Sequence, residues 1–170
     1  IDTVPPTFEF DEIKPQVGDL TSKPEFPDVD VIIHLAAHSQ VQPIVENPEL
    51  AIENIEMTRH VLEEATRMGA FVINASSRDV YGDNVSPDES DVTPDSPNEY
   101  AASKVSGEAI ANAYSQTANL SVTSLRLANV YGPLEINRRV IPIFISRAFN
   151  GEELAVYGKG KLLDFVHVDD

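Results

Sequence analysis

A chain of 170 residues with 42% hydrophobic content can bury a core and is most simply one domain or part of one. Its 28 acidic residues against 12 basic ones give a formal charge of −16, which excludes nucleic acid and anionic membrane as expected partners, and the lack of cysteine excludes disulfides and thiolate metal sites. No apolar run reaches the roughly 18 residues of a membrane span and no charged, apolar, small-residue leader opens the chain, so a cytoplasmic location is expected.

Residues 29–37, VDVIIHLAA, form a near-continuous apolar run after the turn-prone PEFPD, which reads as a strand buried on both faces of a parallel sheet. His34 lies in this run, so it and His38 do not converge as a helical pair would, and no metal site is expected. Asn47 and Pro48 then supply a capping side chain and a first-turn proline, and Leu50, Ile55, Val61, Leu62 and Ala65 make the apolar face of a helix that Gly69 stops. Residues 70–76, AFVINAS, predict the next strand. The stretch 82–98, rich in Pro, Asp and Ser, reads as a surface loop of the length found around active sites, with its acids solvated.

A second helix carries Tyr100 and runs to about Gln116, followed by the β-branched strand 121–127, a helix over 140–149 and a strand over 154–158. Strands alternating with helices imply right-handed crossovers and an α/β, doubly wound parallel sheet. Ligands in such sheets bind at the carboxyl ends of strands, where residues 36–40, 76–81 and 128–133 all fall. The acid is dispersed and lysine is confined to positions 14, 23, 104, 159 and 161, which suggests a surface adapted to high salt.

The segment YAASK places Tyr100 and Lys104 four residues apart, on one helical face. An ammonium beside a phenol favours phenolate, drawing a pKa of roughly 10 toward the physiological range and making Tyr100 a usable general base. Ser77, 23 positions earlier in NASSRDVYG, can hydrogen-bond the oxygen whose proton Tyr100 takes. That is the equipment for oxidising an alcohol by hydride transfer. The alternative is an exposed helical pair, and Tyr157 with Lys161 repeats the spacing where Gly158 and Gly160 disfavour a helix.

Taken in order, GDL at 18–20, HLAA at 34–37, ENP at 46–48, Asn54, SSRDVYG at 76–82, YAASK, RLANVYGP at 126–133, VYGKG and DFVHVDD resemble the extended short-chain dehydrogenase/reductase family, in particular its NAD-dependent nucleotide-sugar epimerases and dehydratases. The resemblance implies a Rossmann-like fold, incomplete at both ends. Residues 1–127 would be a partial NAD-binding domain lacking the first strand and glycine-rich turn, and residues 128–170 the start of a substrate-binding region. It further implies that Asp19, Leu20, Leu35, Ala36, Ala37, Asn54, Leu127 and Val130 bind NAD together with Tyr100 and Lys104. Ser77, Tyr100 and Lys104 would be catalytic, and Ser77, Asn129, Val140, Ala155 and Tyr157 would meet a nucleotide sugar, a UDP-sugar by expectation. Asp19 has the alternative of starting a turn, Ser77 that of capping the next turn, Asn54 that of an exposed helix residue, Asn129 that of a turn residue, and Leu127 and Val130 that of ordinary burial in a strand.

The reaction this implies first is 4-epimerisation through a 4-keto sugar, with 4,6-dehydration or decarboxylation second. Arg78 and Asp79 stand where a dehydratase has paired acids, and Leu163 stands where many relatives have an arginine. A homodimer built on the two helices is expected of the full-length protein. A different class of reading is a non-catalytic dinucleotide-binding scaffold or sensor.

Overall fold

Three strands, β1 (Val31–His34), β2 (Phe71–Ser77) and β3 (Val122–Leu127), lie side by side in that order. β1 and β2 run parallel, Val31 opposite Phe71 and His34 opposite Asn74. The computed structural model describes residues 1–6, 12–23, 25–84, 86–135, 139–156 and 163–170. Within it the chain divides into two units, Ile1–Arg126 and Leu127–Asp170.

Parallel neighbours need long connections, and helices supply them. A short helix α1 (Val41–Glu46) precedes α2 (Glu49–Met68), which links β1 to β2, and α3 (Glu99–Ala118) links β2 to β3. α2 carries Glu49 in its first turn and Arg67 in its last, matching the helix dipole. Gly69, at φ 72°, closes α2 in the left-handed region, with its N–H donating to the Ala65 carbonyl. Asn47 does not cap α2 with its side chain as expected. Pro48 takes that position, and the Asn47 N–H instead ends α1 on the Pro43 carbonyl at 2.9 Å. α3 is capped by Asn98, whose Oδ1 accepts from the Ala101 N–H at 2.9 Å.

Ile32 and Val72 of the sheet meet Met57, Val61, Leu62 and Ala65 of α2 and Ala111 of α3 in one apolar core. Both helices therefore cover the same sheet face. The side chains alternating with that core point the other way, and Val31 (49% exposed) and Ile33 (60%) are open to solvent. The expected burial of this strand on both faces is thus corrected: within this unit only one face is covered, and the ladder ends at His34, leaving 35–37 as a loop.

In the second unit, β4 (Asn129–Tyr131) pairs in parallel with β5 (Phe165–His167), and α4 (Val140–Phe149) coincides with the expected helix. Tyr131 meets Phe165 and His167 edge to face, with ring centroids at 6.3 and 5.1 Å. Gly132 follows at a close approach, since a Cβ there would stand 2.5 Å from Cγ2 of Val168. The strand expected over 154–158 is not formed at 154–156, which makes no ladder, and 157–158 lie outside the described residues. Among the described residues no helix is long and apolar enough to cross a membrane.

Candidate active site

Tyr100, Lys104 and Glu108 occupy successive turns of α3 on the face toward the end of β2. Lys104 Nζ donates to the Ala75 carbonyl at 2.8 Å and stands 5.8 Å from the Tyr100 ring centroid. Burial pushes its pKa down to about 8. The exposed-pair alternative for these two residues therefore fails. Ser77, buried at the last position of β2, caps the 3₁₀ turn Arg78–Tyr81, its Oγ accepting from the Asp79 N–H at 3.2 Å. That bond uses a lone pair and leaves the hydroxyl proton to donate. The Tyr100 phenol, the Lys104 ammonium and the Ser77 hydroxyl thus come from α3 and from the adjoining strand end.

A cavity of about 690 Å³ runs along β1 and past its carboxyl end, lined among others by Asp2, Gly18, Leu20, Ala36, Ala37 and His38. Leu35 lines it too, while Leu20 also belongs to the core, its carbonyl accepting from His60 Nδ1 at 2.6 Å. Asp19 is outside this lining. Its Oδ1 accepts from the Thr21 N–H at 2.8 Å and the Thr21 hydroxyl at 2.7 Å, which holds its pKa below the usual carboxylate value. Asp19 does start a turn.

Asn54 is buried, which removes the exposed-residue alternative. Its Oδ1 accepts from the His38 N–H at 2.8 Å, and its Nδ2 donates to the His38 carbonyl at 3.1 Å and to Ser103 Oγ at 3.3 Å. Ser103 in turn donates to the Tyr100 carbonyl at 2.7 Å. One amide thus fastens the loop after β1 to the helix that carries Tyr100.

Residues 11–170 match the NAD dependent epimerase/dehydratase family. The chain belongs to that family. It is 33% identical over 164 residues to a dTDP-glucose 4,6-dehydratase of Streptomyces niveus, covering 90% of this chain and 48% of that protein. In structure it resembles the dTDP-glucose 4,6-dehydratase DesIV of Streptomyces venezuelae with NAD and TYD bound (TM-score 0.76, 32% identity, 89% of this chain and 50% of that one). It also resembles the UDP-N-acetylglucosamine 4-epimerase of Methanobrevibacter ruminantium M1 in complex with UDP-N-acetylmuramic acid (TM-score 0.75, 33% identity, 89% and 51%). The chain spans about half the length of the curated relatives it matches.

Several polar residues make contacts that the sequence did not announce. Asp2 joins Val17 by a parallel bridge, the Gly18 N–H donating to its carbonyl at 2.9 Å, and so reaches the cavity. His34 is buried with Nε2 3.2 Å from Thr58 Oγ1. Thr58 spends its single proton on the Asn54 carbonyl at 2.9 Å, so His34 donates from Nε2. Burial, and secondly the Lys104 charge, push the His34 pKa down to about 4. Glu108 and Arg126 form a nearly buried ion pair at 2.8 Å.

The remaining expected site residues belong to the second unit. Leu127 ends β3, and Val130 lies in β4. Asn129 is tied to the Asp164 carbonyl by its side chain at 2.9 Å and by its N–H at 3.1 Å. Val140 opens α4, Ala155 lies in the coil after it, and Tyr157 falls outside the described residues.

Proposed function

We propose that this epimerase/dehydratase is an NAD-dependent nucleotide-sugar 4-epimerase, with Tyr100 as the base that deprotonates the sugar 4-hydroxyl. The observation that carries this is the clamp on Lys104. Its ammonium is fixed between the Tyr100 ring and the Ala75 carbonyl, two residues before Ser77, where its charge favours the phenolate.

The cavity suits a dinucleotide. The short side chains of Ala36 and Ala37 leave room beside a backbone that Asn54 holds in place, and the Asp2 carboxylate in the lining favours a ribose 2′-hydroxyl over a 2′-phosphate, hence NAD over NADP. Leu20, Leu35, Ala36, Ala37 and Asn54, with Asp19, Leu127 and Val130, are the residues proposed to hold it. Bound there, NAD supplies a reversible hydride acceptor. Tyr100 takes the hydroxyl proton and returns it, and Ser77 donates to the same oxygen as it becomes a carbonyl. A 4-keto sugar that turns over before it is reduced again emerges with that carbon inverted. Asn129, Val140, Ala155 and Tyr157 are proposed contacts of a UDP-sugar, in a homodimer.

The dehydratase reading is favoured by the Streptomyces relatives, which are 4,6-dehydratases by name. Against it stands the replacement of paired acids by Arg78 and Asp79, which leaves one carboxylate beside Ser77. Incubation of the intact protein with NAD and UDP-glucose or dTDP-glucose, with products identified by NMR, separates the two. Interconversion of glucose and galactose supports epimerisation, while a 4-keto-6-deoxy product replaces it by dehydration. Undiminished turnover in Tyr100→Phe would remove Tyr100 as the base.

A further inference from the structure

Glu108 lies one turn beyond Lys104 on α3, and the two side chains grip consecutive residues of β2. Lys104 takes the Ala75 carbonyl at 2.8 Å, and Glu108 Oε1 accepts from Ser76 Oγ at 2.5 Å. Arg126, from β3, completes the arrangement. Its Nε and Nη2 donate to the Glu108 carboxylate at 3.0 and 2.8 Å, while Nη1 donates to the Tyr81 hydroxyl at 3.0 Å and to the Glu89 carbonyl at 2.5 Å. The guanidinium also lies 4.9 Å from the centre of the Tyr81 ring. Only 18% of the Arg126 side chain and 12% of that of Glu108 reach solvent.

These contacts bracket Ser77 on both sides in sequence. Ser76 precedes it, and Tyr81 ends the 3₁₀ turn that Ser77 caps. Neighbouring side chains on a strand point to opposite faces, so holding Ser76 against α3 sets the direction in which Ser77 faces. The Tyr81 and Glu89 contacts root the turn and the following loop to the same guanidinium. Neither Glu108 nor Arg126 is needed for this as a source of core packing: a carboxylate and a fork of donors, each spent on several groups, form a positioning device.

We propose that Glu108 and Arg126 are positioning residues for the reaction, acting through Ser76 and Tyr81 to aim the Ser77 hydroxyl at the substrate oxygen. The proposal rests on the catalytic reading of Ser77 and Tyr100 above. A displacement of about 1 Å at such a group costs on the order of 10²-fold in rate. Glu108→Gln keeps the shape but loses the charge that holds Arg126, and Ser76→Ala removes one hydroxyl and leaves the ion pair in place.

The test measures kcat, KM and NAD affinity of the intact enzyme for Glu108→Gln, Ser77→Ala and their combination, with Ser76→Ala as the milder probe should Glu108→Gln fold poorly. Glu108→Gln is expected to lower kcat about 10²-fold with KM and NAD affinity within about threefold. Because its effect passes through Ser77, the double variant should be little slower than Ser77→Ala alone. Ser76→Ala should lower kcat about tenfold and show the same lack of additivity. Arg126→Lys, which retains the charge but not the fork, should recover part of the kcat lost in Arg126→Met. Losses that multiply in the double variants, or a fall in NAD affinity equal to the fall in kcat, would overturn the positioning role. Undiminished activity of Tyr100→Phe would instead sink the catalytic reading on which it stands.

Discussion

His34 makes the fold sensitive to mild acid, by an amount that can be worked out. The neutral ring donates from Nε2 to Thr58, and a second proton would have to enter a buried site facing the Lys104 ammonium. The unfolded chain protonates this histidine at its ordinary value of 6.5, the folded chain only at about 4. Since the folded value is the lower, the unfolded state binds the extra proton throughout that window. The stability tied to neutral His34 is complete above about pH 6.5 and is lost as the pH falls toward 4. At pH 5 the loss comes to about 2 kcal/mol, and below the folded value it levels off at about 3 kcal/mol. His34→Gln keeps a donor amide for Thr58 and cannot titrate. Urea unfolding of both proteins between about pH 7.5 and 5 should show the wild type losing about 2 kcal/mol more than the variant. Parallel pH curves for the two would refute the assignment of a buried, neutral His34.

Two further outcomes follow from the geometry. The Lys104 pKa is depressed to about 8, so its positive charge is lost as pH rises through that value, and kcat/KM should fall on the alkaline side. Lys104→Arg should move that limb upward in a pH–rate profile, because a guanidinium stays charged. In the second unit, Gly132→Ala drives a methyl to within 2.5 Å of Val168 Cγ2, at a cost of about 1–3 kcal/mol in thermal or denaturant unfolding. Adding Val168→Ala should relieve part of it.

Much of this was legible in the chain, for identifiable reasons. α2 is read well because an apolar period and a stop residue, Gly69, are local signals, and α3 brings Tyr100 and Lys104 to one face by spacing alone. Apolar content misled over 29–37, because it says that a side chain prefers burial and not what covers it. α1 was missed because a single buried side chain, Ile44, leaves no period to detect. The polar clamps were beyond reach for another reason. Asn54 holds a backbone 16 positions away, and Arg126 reaches Glu108 from 18 positions on, so these pairings exist only once the crossovers have folded. Glu108 alone left a trace, as the third member of the series 100, 104, 108.

The uncovered sheet face gives salt a double meaning for these 170 residues taken alone. Val31, Ile33, Phe71 and Leu125 are all more than a third exposed, on a chain whose formal charge is −16. In dilute buffer that charge keeps copies apart, since the Debye length is about 30 Å at 0.01 M and only about 3 Å at 1 M. Molar salt therefore relieves repulsion among the dispersed acids within one copy and, in the same act, lifts the barrier between copies whose bare strands present apolar side chains. Ionic strength acts on these 170 residues as a colloidal variable as much as a folding one.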